Sequence, residues 1–496
     1  MSSTGVNAAE RYLSRLCRKT FLSLWSHSNV YKSPGEEFAD LLVVCGNDVI
    51  IFQDKWSSFP RLAQLEASWQ RWLRRAVLSA AKQLWGAERH IKSLSRKLFL
   101  DASCNIPFPL ALPDLSKTKF HLILVTHGGS EACRNHFGGS GSFMFDNGIQ
   151  GFENHKNPFV IGDLDRAKTF IHVLDDTSLD ILMRTLDTIT DLTNYLKKRE
   201  ILARSNVKVL STGEEELLAN YLKNLDSDGV VHDFDFGKSR DGEEFDAVGL
   251  MEGGWEEFQK HPQRIAQLEQ DKVSYFWDYL IEEFSRHAVN GTQYVVATAP
   301  PSGITGTERI LRFMAREPRF VRRAFTKGFL DMVKITRPEQ RRLKIIRSYA
   351  SDGVYYVFLL FPIPSPELNF SYDDYRQIRA AYLEKCCMVT KLEFPDAIGI
   401  VGIATESGDK NSGHSEDAMF LDVSLWSQEM QRQAEEYQTE FKILTKPTET
   451  PSLMTEYPDV VSKKEFLKNP YNKPCPCGSE KKYKKCCGLK GRKFYK

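Results

Sequence analysis

Four thiols inside thirteen residues, Cys475, Cys477, Cys486 and Cys487, constrain this chain more than any other feature. The spacing, C-x-C followed eight residues later by C-C, closes two short chelate loops joined by one turn. Four thiolates in that arrangement complete a tetrahedral shell around Zn²⁺. Pro476 and Gly478 suit the tight first loop, and the adjacent Cys486 and Cys487 cannot bridge each other without strain. The other six cysteines have no framework-like spacing, as in a reducing compartment where the tail thiols stay available for metal. From Tyr471 to Lys496 there are nine Lys/Arg and one acid, so a positive knob would surround the metal.

The wording of this tail resembles the SEC-C motif, the zinc-binding segment known from the SecA preprotein translocase and from many unrelated bacterial proteins. The resemblance spans residues 470–489 and implies a small zinc knuckle for docking a protein partner. Glu480 stands where the family usually has a second Gly, a position that is not a ligand. SecA is an ATPase, but no glycine-rich loop here ends in Gly-Lys-Ser/Thr. Gly138-Gly139-Ser140-Gly141 lacks the lysine, lies among Phe137, Phe143 and Phe145, and reads as a flexible loop.

At 496 residues the chain exceeds what one core usually supports. The expectation is a multi-domain α/β (mixed α+β) protein: a nuclease-like domain at 1–115, its α/β continuation at 116–225, an acidic linker at 226–250, a second mixed domain at 251–445, a Pro-rich tether at 446–473 and the knuckle at 474–489. The net charge of +2 hides strong segregation. Residues 61–97 hold nine Lys/Arg against two acids, and 309–347 hold thirteen against three. Residues 214–257 invert this with fourteen acids, read as a solvated face or linker. Arginines interrupt the N-terminal apolar residues, and the longest apolar run, Val354 to Pro364, is half of what a bilayer needs. A cytoplasmic protein without a membrane span is expected.

Periodicity predicts a helix over 8–30 with Ser33-Pro34-Gly35 as a breaker, then a hairpin of Leu41–Cys45 and Val49–Phe52 around Gly46-Asn47-Asp48. A long basic helix follows over 65–94, with Trp69, Trp72 and Leu84 on its buried side. Strands are expected at 120–126, 294–297, 354–364 and 398–404, and helices at 178–198, 256–268, 272–288 and 375–387.

Pairing Cys45 with Val49 would set Asp40 opposite Asp54, with Gln53 and Lys55 flanking it on one face. Asp40 then offers a hard oxygen to Mg²⁺ and Gln53 a carbonyl oxygen. Lys55 supplies a cation to orient water and stabilise phosphate charge, and Glu37 a further carboxylate. This arrangement over residues 10–100 resembles the PD-(D/E)xK nucleases, specifically the Mrr-like variants with Gln for the second acid. Asp40 matches the metal-binding Asp and Gln53-x-Lys55 the (D/E)-x-K element. Glu37 stands in for the glutamate often found on the first helix, where Glu10 lies in this chain. No Pro precedes Asp40. The resemblance implies phosphodiester hydrolysis of nucleic acid and a role in bacterial defence.

The same residues also read as an ordinary hairpin with a surface Asp and Lys, and the alternative is then a non-enzymatic adaptor whose zinc tail binds a protein or ribosomal partner. His121 and His127 share a strand face with no acid or thiol near them in sequence, which points to structural histidines. Cys386-Cys387 on a helical pattern reads as buried packing, and Phe313, Phe320 and Phe325 as core aromatics. No Gly-x-Ser-x-Gly elbow or His-Glu-x-x-His helix is present.

Overall fold

Short apolar runs, interrupted by helical stretches, build three sheets of mixed strand direction. The computed structural model describes residues 8–93, 96–226, 229–237, 245–291, 304–364, 371–407, 415–448, 455–458 and the single positions 481, 482 and 485. Helix α1 (Ala8–Trp25) leads into a meander of β1 (Ser26–Ser33), β2 (Glu36–Cys45) and β3 (Asp48–Trp56). Then come α2 (Leu65–Leu73), one π-helical turn (Arg74–Leu78), α3 (Ser79–Lys92), β4 (Lys119–His127) and α4 (Ser130–Phe137). The next elements are β5 (Met144–Gln150), β6 (Val160–Asp163), β7 (Ile171–Asp175), α5 (Asp176–Thr185), α6 (Ile189–Ala203), β8 (Lys208–Ser211), α7 (Glu214–Lys223) and β9 (Ala247–Leu250). Five helices follow: α8 (Gly254–Lys260), α9 (Pro262–Asp271), α10 (Tyr275–Asn290), α11 (Ile304–Arg316) and α12 (Arg319–Ile335). The last elements are β10 (Arg342–Arg347), β11 (Val354–Pro362), α13 (Tyr372–Glu393), β12 (Gly399–Ser407), β13 (Asp417–Asp422) and α14 (Gln428–Phe441).

The first sheet has the order β1-β2-β3-β4-β7, with β2 antiparallel to both neighbours and β3, β4 and β7 parallel. Both faces are buried. Ile50 and Phe52 of β3 pack with α1, α10 and α12, while Val49 and Ile51 pack under Trp69, Trp72 and Leu84 of α2 and α3. The third sheet, β10-β11-β12-β13, repeats the logic: Tyr356, Phe358 and Leu360 of β11 join the same cluster as α1, and Tyr355, Val357 and Leu359 face α13. One hydrophobic cluster therefore runs from Leu13 to Ile403 and ties the N-terminal sheet to the C-terminal one.

Several expectations need correction. The first helix ends at Trp25, and residues 26–30, predicted as its continuation, belong to β1 and pair with β2, because Ser26, Ser28 and Asn29 favour extended or turn backbone over helix. The predicted helix at 178–198 is two helices, since Thr188 caps a new one by accepting from the Asp191 amide. The acids of α7 are buried. Glu214 pairs with Arg199 at 2.6 Å, Glu215 accepts from Ser140 at 2.5 Å, and Glu216 accepts from the Gly253 and Trp255 amides at 2.9 and 3.0 Å. The end of the glycine loop is packed, since a Cβ on Gly141 would lie 2.6 Å from the Ser130 carbonyl, while Gly138 and Gly139 are exposed. The predicted strand at 294–297 lies outside the described residues.

Within the basic segment 309–347 three arginines are internal, while Lys327, Lys334, Arg337, Arg341, Arg342 and others stay exposed. Arg319 bonds Asp187 and Asp278 at 2.8 and 2.9 Å, Arg322 bonds Asp278 at 2.5 Å, and Arg323 bonds Asp271 at 3.0 Å. Arg323 also donates to the carbonyls of Thr455 and Glu456 at 2.8 and 3.1 Å, and Tyr457 donates to the Leu222 carbonyl at 2.6 Å. Residues 455–458 thus fasten the chain to α12 and α7. A chain ending at 458 should match the full protein in urea unfolding, while one ending at 448 should lose about 2–3 kcal/mol, because buried Arg323 would lack its carbonyl acceptors.

Candidate functional site

Asp40 and the Gln53-x-Lys55 element occupy adjacent antiparallel strands of the first sheet. The pairs Leu41↔Phe52 and Cys45↔Asp48 set the register, one residue away from the expected Cys45 with Val49. Asp40 therefore faces Gln53, not Asp54. The cause is a two-residue turn, Gly46-Asn47, with Gly46 at φ 62° in the first central position, the geometry of a type II′ loop. The Gly-Asn pair carried that signal in the sequence.

Gln53 Nε2 donates to Asp40 Oδ2 at 2.6 Å, and the Asp54 amide donates to the same oxygen at 2.6 Å. Burial pushes the Asp40 carboxyl up to about 7, the neighbouring acids Glu37, Asp54 and Glu10 add to this, and the Asp54 amide opposes it. Glu37, exposed on β2 opposite Tyr31, is raised by burial and by Glu10. The Glu10 carboxylate, in the first turn of α1, thus acts on both Asp40 and Glu37. Lys55 lies two residues beyond Gln53 on the face of β3 that α2 and α3 cover, and its side chain makes no ion pair among the described residues. Among the described residues no three His, Cys, Asp or Glu side chains form a metal cage. A hydrated Mg²⁺ needs only one or two protein carboxylates plus substrate phosphate. Of the expected set, Asp40 and Gln53 are the two that the fold brings into contact.

The opposite face of the same strand end holds residues that sequence reasoning did not bring together. His127 lies between Asp54, at 2.6 Å from Nε2, and Asp176 at Nδ1. Burial works to lower its value, and the two carboxylates overcome it to reach about 10. The acids come from β3 and the start of α5, so no local pattern around His127 marks them. The pair fixes the end of β3, whose Asp54 amide holds Asp40. Because the folded value exceeds the unfolded one, this contribution is fully present below about pH 6.5 and disappears as pH rises toward 10. The stability difference between the native protein and H127Q should narrow over that window in denaturant titrations. At the other end of β3, His121 bonds Asp48 at 3.0 Å.

The other expected sites divide. Cys386 and Cys387 are buried in α13 packing. Phe325 is core, and Phe313 stacks on Phe420 rather than facing solvent. Among the described residues no helix is long and apolar enough to cross a membrane. The thiols Cys475, Cys477, Cys486 and Cys487 lie outside the described residues, and their assignment rests on the sequence of the tail.

That sequence is decisive. Residues 472–489 match the SEC-C motif. The SEC-C motif is of a zinc-binding type, so this tail is a zinc-binding module appended to an α/β body. No curated protein and no solved structure matches the chain.

Proposed function

We propose that the protein hydrolyses phosphodiester bonds of nucleic acid at Asp40, Gln53 and Lys55, and that its SEC-C tail docks a partner. The carrying observation is Asp40 directly opposite Gln53 with Lys55 two residues along. A half-buried carboxylate whose value is raised to about 7 can accept a proton from water, the requirement for a general base. Gln53 and the Asp54 amide hold that carboxylate in place. Lys55 places an ammonium where negative charge grows on the phosphate. Glu37 and Glu10 raise the local negative potential, which favours a bound divalent cation; Mg²⁺ in such a site polarises phosphate and lowers the pKa of bound water. In the tail, Cys475, Cys477, Cys486 and Cys487 would hold structural Zn²⁺ as thiolates. A part in bacterial defence, and a cytoplasmic location, belong to this same reading.

The match to SEC-C alone favours a second reading, an adaptor without chemistry. Incubating the full chain with plasmid, single-stranded DNA and RNA, with Mg²⁺ or with EDTA, separates the two. The nuclease reading expects metal-dependent cleavage that disappears in D40N and K55M. Intact substrates throughout, or cleavage that survives both substitutions, would leave the adaptor.

A further inference from the structure

The chain has two strongly basic segments, and the fold buries three central arginines of the second. Arg319, Arg322 and Arg323 are consumed by buried carboxylates. On α2, the π-helical turn and α3, by contrast, Arg71, Arg75, Lys82 and Arg89 are exposed and make no ion pair among the described residues. Of the acids on these helices, Glu88 is buried and already bonded to Lys92 and Thr169. Spacings of four, seven and seven residues keep the four cations on one side of the helix. At 1.5 Å per residue they span about 27 Å.

The stripe starts beside the candidate site. Trp72, next to Arg71, donates its indole N–H to the Ser57 carbonyl at 2.9 Å, two residues past Lys55. From there the helices run back along the sheet, and Lys92 lies over Phe120 at the start of β4. The aromatics on these helices, Trp69, Trp72 and Trp85, are 0%, 0% and 5% exposed, so the helices themselves offer no platform for stacking unpaired bases, and the exposed ring nearby is Trp56 at the end of β3. A rigid line of cations without aromatics matches the regular phosphate charge of a duplex, read through its backbone alone.

We infer that the exposed face of α2 and α3 is the docking surface for double-stranded DNA, held by its phosphates without sequence preference through Arg71, Arg75, Lys82 and Arg89. This names the substrate class of the site proposed above and rests on that reading for its purpose, though binding can be measured without cleavage. The test uses full-length D40N with a labelled 25-base-pair duplex, the matching single strand and a duplex RNA, followed by anisotropy from 50 to 200 mM salt.

Adding R71Q/R75Q/K82Q/R89Q should weaken duplex DNA binding at least tenfold and reduce the slope of log K against log salt by about 3–4, since each phosphate contact contributes about 0.9. Scrambling the duplex sequence should change nothing. An unchanged slope in the quadruple variant would overturn the inference. Tighter binding of the single strand or of RNA, or binding that depends on residues 459–496 instead, would equally overturn it. Retained DNA binding with no cleavage by the native chain would leave this surface standing and remove the nuclease reading.

Discussion

D40N should abolish metal-dependent cleavage while making the folded protein more stable above pH 7. Both effects follow from one carboxyl group. Its folded value of about 7 exceeds the ordinary carboxylate range, first through burial and then through Glu37, Asp54 and Glu10. The folded state therefore binds the proton more tightly than the unfolded chain, and ionising Asp40 destabilises the fold as pH rises from about 4 to 7. Asparagine keeps an oxygen to accept from Gln53 and the Asp54 amide, and it carries no charge. The gain should be about 1 kcal/mol or more at pH 8 and vanish below pH 4, read by urea titration. Loss of a group that acts on the reacting atoms should reduce cleavage at least about 100-fold. A surface aspartate in an ordinary hairpin would show neither effect. Loss of activity together with loss of stability at pH 8 would mean that Asp40 is structural, because a site that tolerates strain for function gains stability when the strain is removed.

D278A should produce the largest loss of stability of any single substitution considered, about 3–5 kcal/mol. Asp278 of α10 is the shared acceptor for Arg319 and Arg322 of α12, at 2.9 and 2.5 Å. Arg319 retains Asp187, but Arg322, 1% exposed, would keep only the carbonyls of Glu317 and Ala315. A guanidinium sealed from water without a carboxylate has no alternative partner, and its charge cannot be shed. As a contrast, E429A removes an exposed α14 pair with Arg432 and should change stability by less than about 1 kcal/mol. Similar small effects from both substitutions would show that the α10–α12 network is solvated.

The same contrast explains why charge runs misled sequence reasoning. Composition marks 309–347 as basic and 214–257 as acidic, yet Arg319, Arg322 and Arg323 of the first and Glu214, Glu215 and Glu216 of the second are interior groups. Their partners lie far away in sequence: Arg319 bonds Asp187 across 132 residues and Trp255 bonds Glu216 across 39. On α2 and α3, where acids are scarce, Arg71, Arg75, Lys82 and Arg89 stay exposed, and so do Lys327, Lys334, Arg337, Arg341 and Arg342 of the second segment.

What the sequence determined by itself acts over a few residues. A continuous apolar run defined the buried β11, Ser33-Pro34-Gly35 marked a break that the fold places between β1 and β2, and the thiol spacing defined the SEC-C tail. These signals depend on backbone conformation and chelate size, which are local. Tertiary structure decided the rest. It placed Glu10 within electrostatic range of Asp40, and it gave His127 carboxylates from β3 and α5 although none lies beside it in the chain. Long-range burial and charge pairing depend on which elements pack together, and the apolar faces that drive that packing leave no trace in the polar residues they bring into contact.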